Sequence, residues 1–309
     1  MFLREEVLKV ENLRVHFRYR NIRAVDGADF IVYRGEKFTL IGESGSGKSV
    51  LATSILRLLP KDAEVYGKII FDGINLLELN EEEMRKIRGR RIALIPQSQS
   101  ALNPVLTVGF QCSEPIMEHF KVDKKSALNK ILKIFDFLGI GRRFNDYPHQ
   151  FSGGMKQRVL VAMGISTDPD LIIADEPTKG LDAPKRKQVI ELFRKIDKTM
   201  LIITHDLHFA NAIATRIGVM YAGKIVEVCK AKEFFKEPLH PYSQGLLNSL
   251  PSRGLKPIKG VTSINPIQGC RFRERCDFAW EKCKTEPPLL NINGRLVRCW
   301  LFDPTRGRS

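Results

Sequence analysis

Gly42-Glu43-Ser44-Gly45-Ser46-Gly47-Lys48-Ser49 fits the pattern G-x-x-x-x-G-K-[ST] at every fixed position. Residues of these types at this spacing hold the phosphates of a nucleoside triphosphate. Glycines let backbone N–H groups turn inward around the β-phosphate, and the helix that follows presents its positive end. Lys48 is placed to reach the β- and γ-phosphates, and the Ser49 hydroxyl to ligate Mg²⁺. A chance Gly/Ser turn is the bland alternative, and the flanking sequence argues against it. Phe38-Thr39-Leu40-Ile41 is a short apolar strand, and Val50 to Leu56 has the look of a helix that Pro60 closes. Strand, loop and helix in that order are what a phosphate loop needs.

Three further positions end apolar strands. Asp175 closes Leu171-Ile172-Ile173-Ala174, at the carboxyl end of a buried strand, where open α/β sheets place their ligands. It suits a Mg²⁺ ligand acting through water, and Glu176 beside it suits the base that polarises an attacking water. A surface Asp-Glu pair starting a turn at Pro177 is the competing reading. Gln97 follows Ile92 to Pro96, and His205 follows Leu201 to Thr204. A lone Gln or His is more often solvated or satisfied in a core. If both strands share one sheet, the two side chains converge on one γ-phosphate: His205 as a donor to its oxygens, Gln97 on metal and water.

These residues need a particular frame. Leu8 to Phe17 alternates as a strand does, Phe30 to Tyr33 and Gly218 to Tyr221 form further apolar runs, and Lys125 to Leu138 has helical periodicity ending near Gly139 and Gly141. Short apolar strands alternating with helices predict a largely parallel sheet covered on both faces. A mostly helical insertion is expected over 97–165. After Leu250, Pro251, Gly254, Pro257, Gly260 and Pro266 mark a linker, so the domains are read as 1–250 and 251–309.

The chain has 309 residues, 43% hydrophobic and 28% charged, enough for one large domain with an appendage. No apolar run approaches the length of a membrane span, and Met1 to Val15 lacks a signal-peptide core. The formal charge of +15 is concentrated late, with twelve Lys/Arg against five Asp/Glu after Leu250. Basic charge suits nucleic acid, an anionic lipid surface or a solvated exterior, so the motifs have to decide.

Phe151-Ser152-Gly153-Gly154-Met155, upstream of the Asp175-Glu176 strand, decides most. Together the motifs resemble the ATPase subunit of an ATP-binding-cassette (ABC) transporter, over roughly Leu8 to Leu250. The resemblance implies a P-loop NTPase fold: a RecA-like core with an antiparallel β-subdomain and a helical insertion, plus a small Cys-rich C-terminal extension. It makes Gly42 to Ser49 the Walker A loop, Gln97 the Q-loop, Ser152-Gly153-Gly154 the signature, and Leu171 to Asp175 Walker B with Glu176 catalytic. Gly180-Leu181-Asp182 is then the D-loop and His205 the switch histidine. Phe17 looks like the aromatic that stacks on adenine, with a core role nearly as good a reading and Tyr19 as rival. In this family two cassettes sandwich two ATPs, each signature completing the other subunit's site. Ser152 and the glycine amides at a helix N-terminus suit that task.

His240-Pro241-Tyr242, Gly245-Leu246-Leu247, Gly269-Cys270 and Arg275-Cys276 look like the tail of oligopeptide/dipeptide importer ATPases. Met155, in place of the commoner glutamine, Asn103-Pro104 and Tyr147 to Phe151 fit the same branch. The resemblance implies a peripheral subunit on the cytoplasmic face of the membrane, with a second, paralogous ATPase subunit and two membrane permease subunits. An extracytoplasmic solute-binding protein chooses the cargo, peptide or, in some relatives, oligosaccharide. ABC ATPases acting on nucleic acid are disfavoured, since the interval between the two glycine motifs is too short for a long coiled coil and only one cassette is present. A small-molecule kinase would have no use for Ser152-Gly153-Gly154.

Cys270, Cys276, Cys283 and Cys299 form C-x5-C-x6-C-x15-C, while Cys112 and Cys229 stand apart as expected buried thiols. Disulfides are disfavoured in a reducing cytosol, and four thiolates in a short segment suggest a metal staple. No C-x2-C pair is present, which weakens a zinc ribbon. The resemblance implies a [4Fe-4S] cluster, with Zn²⁺ as runner-up and free thiols third. Arg271, Arg273 and Arg275 are expected to offset the charge of such a site.

Overall fold

The apolar alternation of LKVENLRVHF becomes the first long strand of a computed structural model that describes residues 4–262 and 267–304; Pro266, read above as a linker residue, lies outside them. In chain order the elements open with β1 (Glu6–Phe17), β2 (Ile22–Tyr33), β3 (Lys37–Ile41), α1 (Lys48–Ile55), β4 (Ala63–Phe71) and β5 (Ile74–Asn75). Next come α2 (Glu81–Ile87), β6 (Ile92–Ile95), α3 (Val108–Phe120), α4 (Lys124–Phe137), α5 (Gly153–Ile165), β7 (Leu171–Asp175), α6 (Ala183–Lys195) and β8 (Thr199–Thr204). The chain continues through α7 (Leu207–Ile213), β9 (Arg216–Tyr221), β10 (Lys224–Lys230), α8 (Ala231–Lys236), α9 (Pro241–Asn248), β11 (Leu290–Ile292) and β12 (Arg295–Val297). They form two compact units, Met1–Leu77 with Thr204–Ser309, and Glu78–Ile203.

The first unit holds an antiparallel sheet in the order β2-β1-β4-β5. Register is set by its buried face: Leu8, Val10, Leu13 and Val15 are all within 1% of fully buried, and a one-residue slip would expose them. β3 runs parallel to β9, Phe38 opposite Arg216 and Ile41 opposite Val219. Beyond β9 the sheet turns antiparallel, through β10 to β12 and β11. The parallel pattern expected from the sequence therefore holds for β3 and β9 but not for this edge, where short connections make hairpins. The region after residue 250 contributes β11 and β12 to that edge, Glu227 facing Val297. It also adds Phe272 to a core of Ile41, Val219, Tyr221, Phe234, Tyr242 and Leu247, with Cys270 and Cys276 packed against it. Each fully buried aromatic or aliphatic side chain there contributes about 1.5–3 kcal/mol.

α9 is capped by His240, whose Nδ1 accepts from the Tyr242 N–H at 3.0 Å, and Pro241 supplies the first helical position. Glu227, with no exposed surface, accepts from the Leu239 and His240 N–H groups at 2.9 Å each and from Arg295 at 3.1 Å. One carboxylate thus ties β10, the start of α9 and β12 together.

In the second unit β6, β7 and β8 are parallel neighbours, Ile92 facing Leu171 and Ala174 facing Ile202. Their central residues, 92–95, 171–174 and 200–203, are apolar without alternation because both faces are covered. α3, α4 and α5 supply the helical insertion, burying Cys112, Ile116, Ile131, Phe135 and Val159. Thr107 caps α3 and Asp123 caps α4, and α4 stops where Gly139 takes a φ of +65°. A side chain at Gly164 would meet Ile95 at 2.5 Å, so α5 approaches β6 closely.

Candidate active site

β3 delivers the chain into the glycine loop of the first unit, and α1 receives it. Gly47 is the hinge: its φ is +102°, and a Cβ there would stand 2.2 Å from the Ala24 carbonyl oxygen. Gly42 is as tightly placed, with the Met220 carbonyl oxygen 2.1 Å from where a Cβ would be. Lys48 Nζ donates to the carbonyls of Gly42 and Glu43 at 2.7 and 2.9 Å and to Ser46 Oγ at 3.2 Å. The ammonium thus lies over the loop, while Ser46 is buried and Ser49 exposed. No acidic residue occupies the first turn of α1, so nothing there opposes an anion at its positive end. Phe17 is the half-buried last residue of β1, paired with Ile22 and Ala63; Tyr19, in the following turn, is 91% exposed. His205 follows β8 and is exposed.

In the second unit Asp175 is the last residue of β7 and faces Ile203 of β8. Glu176 then turns into the left-handed region at φ +48°, its N–H donating to the Ile203 carbonyl at 2.8 Å. A non-glycine residue there carries strain of about 1–3 kcal/mol, and such strain gathers at functional positions. Gln97 is half-buried just beyond β6. Two residues on, Gln99 Nε2 donates to the Gly153 carbonyl at 2.9 Å, so the Gln97 loop and the Ser152-Gly153-Gly154 motif are brought together. Nothing in the sequence singles out Gln99.

Ser152 is the exposed N-cap of α5, makes no capping bond with its side chain, and precedes a first turn free of acidic residues. Met155 accepts from Arg143 Nη1 at 3.5 Å, and the same guanidinium lies 4.4 Å from the Phe151 ring centroid. Asp182 caps α6 by accepting from the Lys185 N–H at 3.0 Å, and its carboxylate also pairs with Lys185 Nζ at 2.6 Å.

The C-terminal cysteines share one neighbourhood in the first unit. The Cys270 N–H donates to the Cys283 carbonyl at 2.9 Å. Burial pushes the Cys270 thiol up to about 12 against a bond from the Phe272 backbone, and Cys283, Cys299 and Cys276 all add to the rise. Among the described residues, no group of three or more His, Cys, Asp or Glu side chains is arranged to hold a metal ion. Four cysteines are the donor types that a thiolate-bound group would need, but as placed they do not form a closed ligand set. Two of the arginines expected to balance such a group are engaged elsewhere: Arg271 with Asp26 and the Ala222 carbonyl, Arg275 with Glu43. Cys112 and Cys229 are buried, as expected, and burial raises both thiols, Cys229 to about 12.

Residues 25–179 match the model of the ABC transporter family, and residues 226–283 that of the oligopeptide/dipeptide transporter C-terminal region. The dipeptide transport ATP-binding protein DppD of Bacillus subtilis is 43% identical over 320 aligned positions, covering 97% of this chain and 96% of that protein. The oligopeptide transport ATP-binding protein OppD of the same organism is 37% identical, covering 96% and 89%. Among solved structures, the dimeric bacterial ABC transporter cassette MJ0796 is similar at a TM-score of 0.65 and 28% identity, over 72% of this chain and 98% of that one. The chain belongs to the ABC transporter family and has its α/β P-loop cassette fold. Within that family it is an ATPase subunit of the oligopeptide/dipeptide branch. No helix among the described residues is long and apolar enough to cross a membrane.

Proposed function

We propose that this chain is the motor of a peptide importer, working as one of two cassettes docked on the cytoplasmic side of two permease subunits. The observation that carries the reading is the exposed Ser152 at the start of the thirteen-residue α5, an anion-binding end that the chain's own residues leave uncapped. Such an end completes a triphosphate site when a second cassette presents its glycine loop. In each site Lys48 and the 42–49 backbone hold the phosphates, while Ser49, Asp175 and Gln97 take the Mg²⁺ ion. Glu176 accepts the proton of the attacking water, His205 donates to the γ-phosphate, and Asp182 faces the partner's site. Phe17, at the mouth of the β1–β2 turn, stacks on adenine, with Tyr19 as the alternative. ATP closes the pair and hydrolysis reopens it, so the chain supplies a conformational cycle and leaves cargo to the permeases and the solute-binding protein.

Cys270, Cys276, Cys283 and Cys299 are the proposed ligands of a [4Fe-4S] cluster, with Zn²⁺ as second choice. Support comes from the sequence, where four cysteines fall within thirty residues of a segment too short to build a large core alone. If such a group were held, Cys270, Cys276 and Cys283 on one side and Cys299, just after β12, on the other would be its ligands, and the chemistry it would supply is a structural crosslink. Peptide as cargo draws support from the branch and from what the relatives are named for. The test is uptake of labelled di- and oligopeptides into proteoliposomes containing this subunit, its partner cassette, the permeases and the binding protein. ATP-dependent peptide accumulation is expected; accumulation of oligosaccharides and not peptides would overturn the cargo.

A further inference from the structure

Glu43, the second residue of the glycine loop, is gripped by the C-terminal region. Arg275 Nη1 donates to its Oε2 at 2.7 Å and Nη2 to its Oε1 at 2.9 Å, a bidentate pair. Thr262 Oγ1 adds a third bond to Oε2 at 2.6 Å. The Glu43 N–H, meanwhile, donates to the Tyr242 hydroxyl at 2.8 Å. The guanidinium is held from behind: its side chain is 6% exposed and its carbon lies 5.6 and 5.9 Å from the Tyr221 and Phe272 ring centroids. The Arg275 N–H fixes its own turn on the Phe272 carbonyl at 3.0 Å.

A carboxylate in a phosphate loop is electrostatically misplaced, because it repels the triphosphate and competes for the ammonium that should meet it. Lys48 already donates to the Glu43 carbonyl and acts on its carboxylate. Burial would raise that carboxyl, but the bonds from Arg275 and Thr262 outweigh burial and hold it below the usual carboxylate range. Glu43 is therefore ionised and needs a counter-charge. We infer that Arg275 is a positioning residue for ATP binding: it neutralises Glu43 and orients the glycine loop, so that the C-terminal extension sets the affinity of the nucleotide site. Arg275 immediately precedes Cys276, so the folding of the four-cysteine segment reaches the phosphate loop through one side chain.

The inference rests on reading 42–49 as the triphosphate loop, and the experiment separates the two. MgATP affinity of the full-length protein is titrated with a fluorescent ATP analogue, with unfolding temperature measured without nucleotide. The set is wild type, Arg275→Gln, Arg275→Lys, Glu43→Gln, the double variant Glu43→Gln/Arg275→Gln, and Lys48→Ala. Arg275→Gln should weaken ATP binding roughly five- to tenfold, the effect of one nearby uncompensated charge. Arg275→Lys should retain most of the affinity, and the double variant should recover it although its bidentate pair is gone. A merely structural pair gives a different pattern, in which the double variant binds as poorly as the single or only the unfolding temperature moves. Either result overturns the inference. Unchanged affinity in Lys48→Ala would instead remove the loop reading beneath it, and the inference with it.

Discussion

The Glu176 N–H donates to the Ile203 carbonyl at 2.8 Å, so the residue after β7 is pinned to β8 while its backbone sits at φ +48°. The bond continues the parallel ladder one step past Asp175 and the left-handed turn then changes the direction of the chain. A base at this point is held by the sheet and by strain, with little freedom to wander.

Glu176→Gln keeps size, backbone and the Ile203 bond while removing the carboxylate proposed as the proton acceptor. Hydrolysis is therefore expected to fall by about 10² or more, with MgATP binding retained. Steady-state phosphate release alongside an ATP-binding titration checks it. Turnover within a few-fold of wild type would take the base role away from Glu176.

The cysteine segment gives a second prediction. Protein purified without oxygen should be brown and contain iron and acid-labile sulfide, and Cys283→Ser should lose both together. Metal analysis with a visible absorption spectrum reads the outcome. Stoichiometric zinc in a colourless protein would instead select the zinc reading.

Much of this was legible because it is local. Ile92 to Ile95 and Leu171 to Ala174 are uninterrupted apolar runs, and β6 and β7 lie on them. The glycine loop carries its chemistry in eight adjacent residues, so its motif survives any context. β4 carries little strand signal because only two of the nine residues of AEVYGKIIF are buried and Gly67 interrupts it. α3 falls in the insertion read as mostly helical but is not marked individually, because Gly109 and Pro115 weaken a pattern that Thr107 and the buried Cys112 face nevertheless sustain. β11 and β12 are three residues each and are held by long-range pairing, β12 on β10 and β11 on β12. Arg275 and Glu43 are 232 positions apart, and no periodicity or spacing can announce such a pair. Arg275 was read instead as a counter-charge for the neighbouring cysteines, an assignment that composition invites and geometry redirects.

His240 gives the last prediction, on stability against pH. It is 1% exposed, and burial lowers its imidazole to about 3, against a bond involving the Arg298 backbone that favours the charged form. The ring must stay neutral, because Nδ1 accepts from the Tyr242 N–H to start α9. In the unfolded chain the same imidazole takes a proton near its ordinary value of about 6.5. Its folded value is thus depressed: the contribution to stability is fully present above that value and is lost as pH falls toward 3. Each pH unit in that window costs about 1.4 kcal/mol from this group, so roughly 2 kcal/mol disappears between pH 6.5 and 5.0. His240→Asn keeps an N-cap acceptor without the titration. Urea unfolding at pH 7.5 and 5.0 should show a smaller acid loss in this variant than in wild type, even if it starts from a lower stability at pH 7.5. Equal losses in the two proteins would mean that other groups carry the acid sensitivity and that His240 is no part of it.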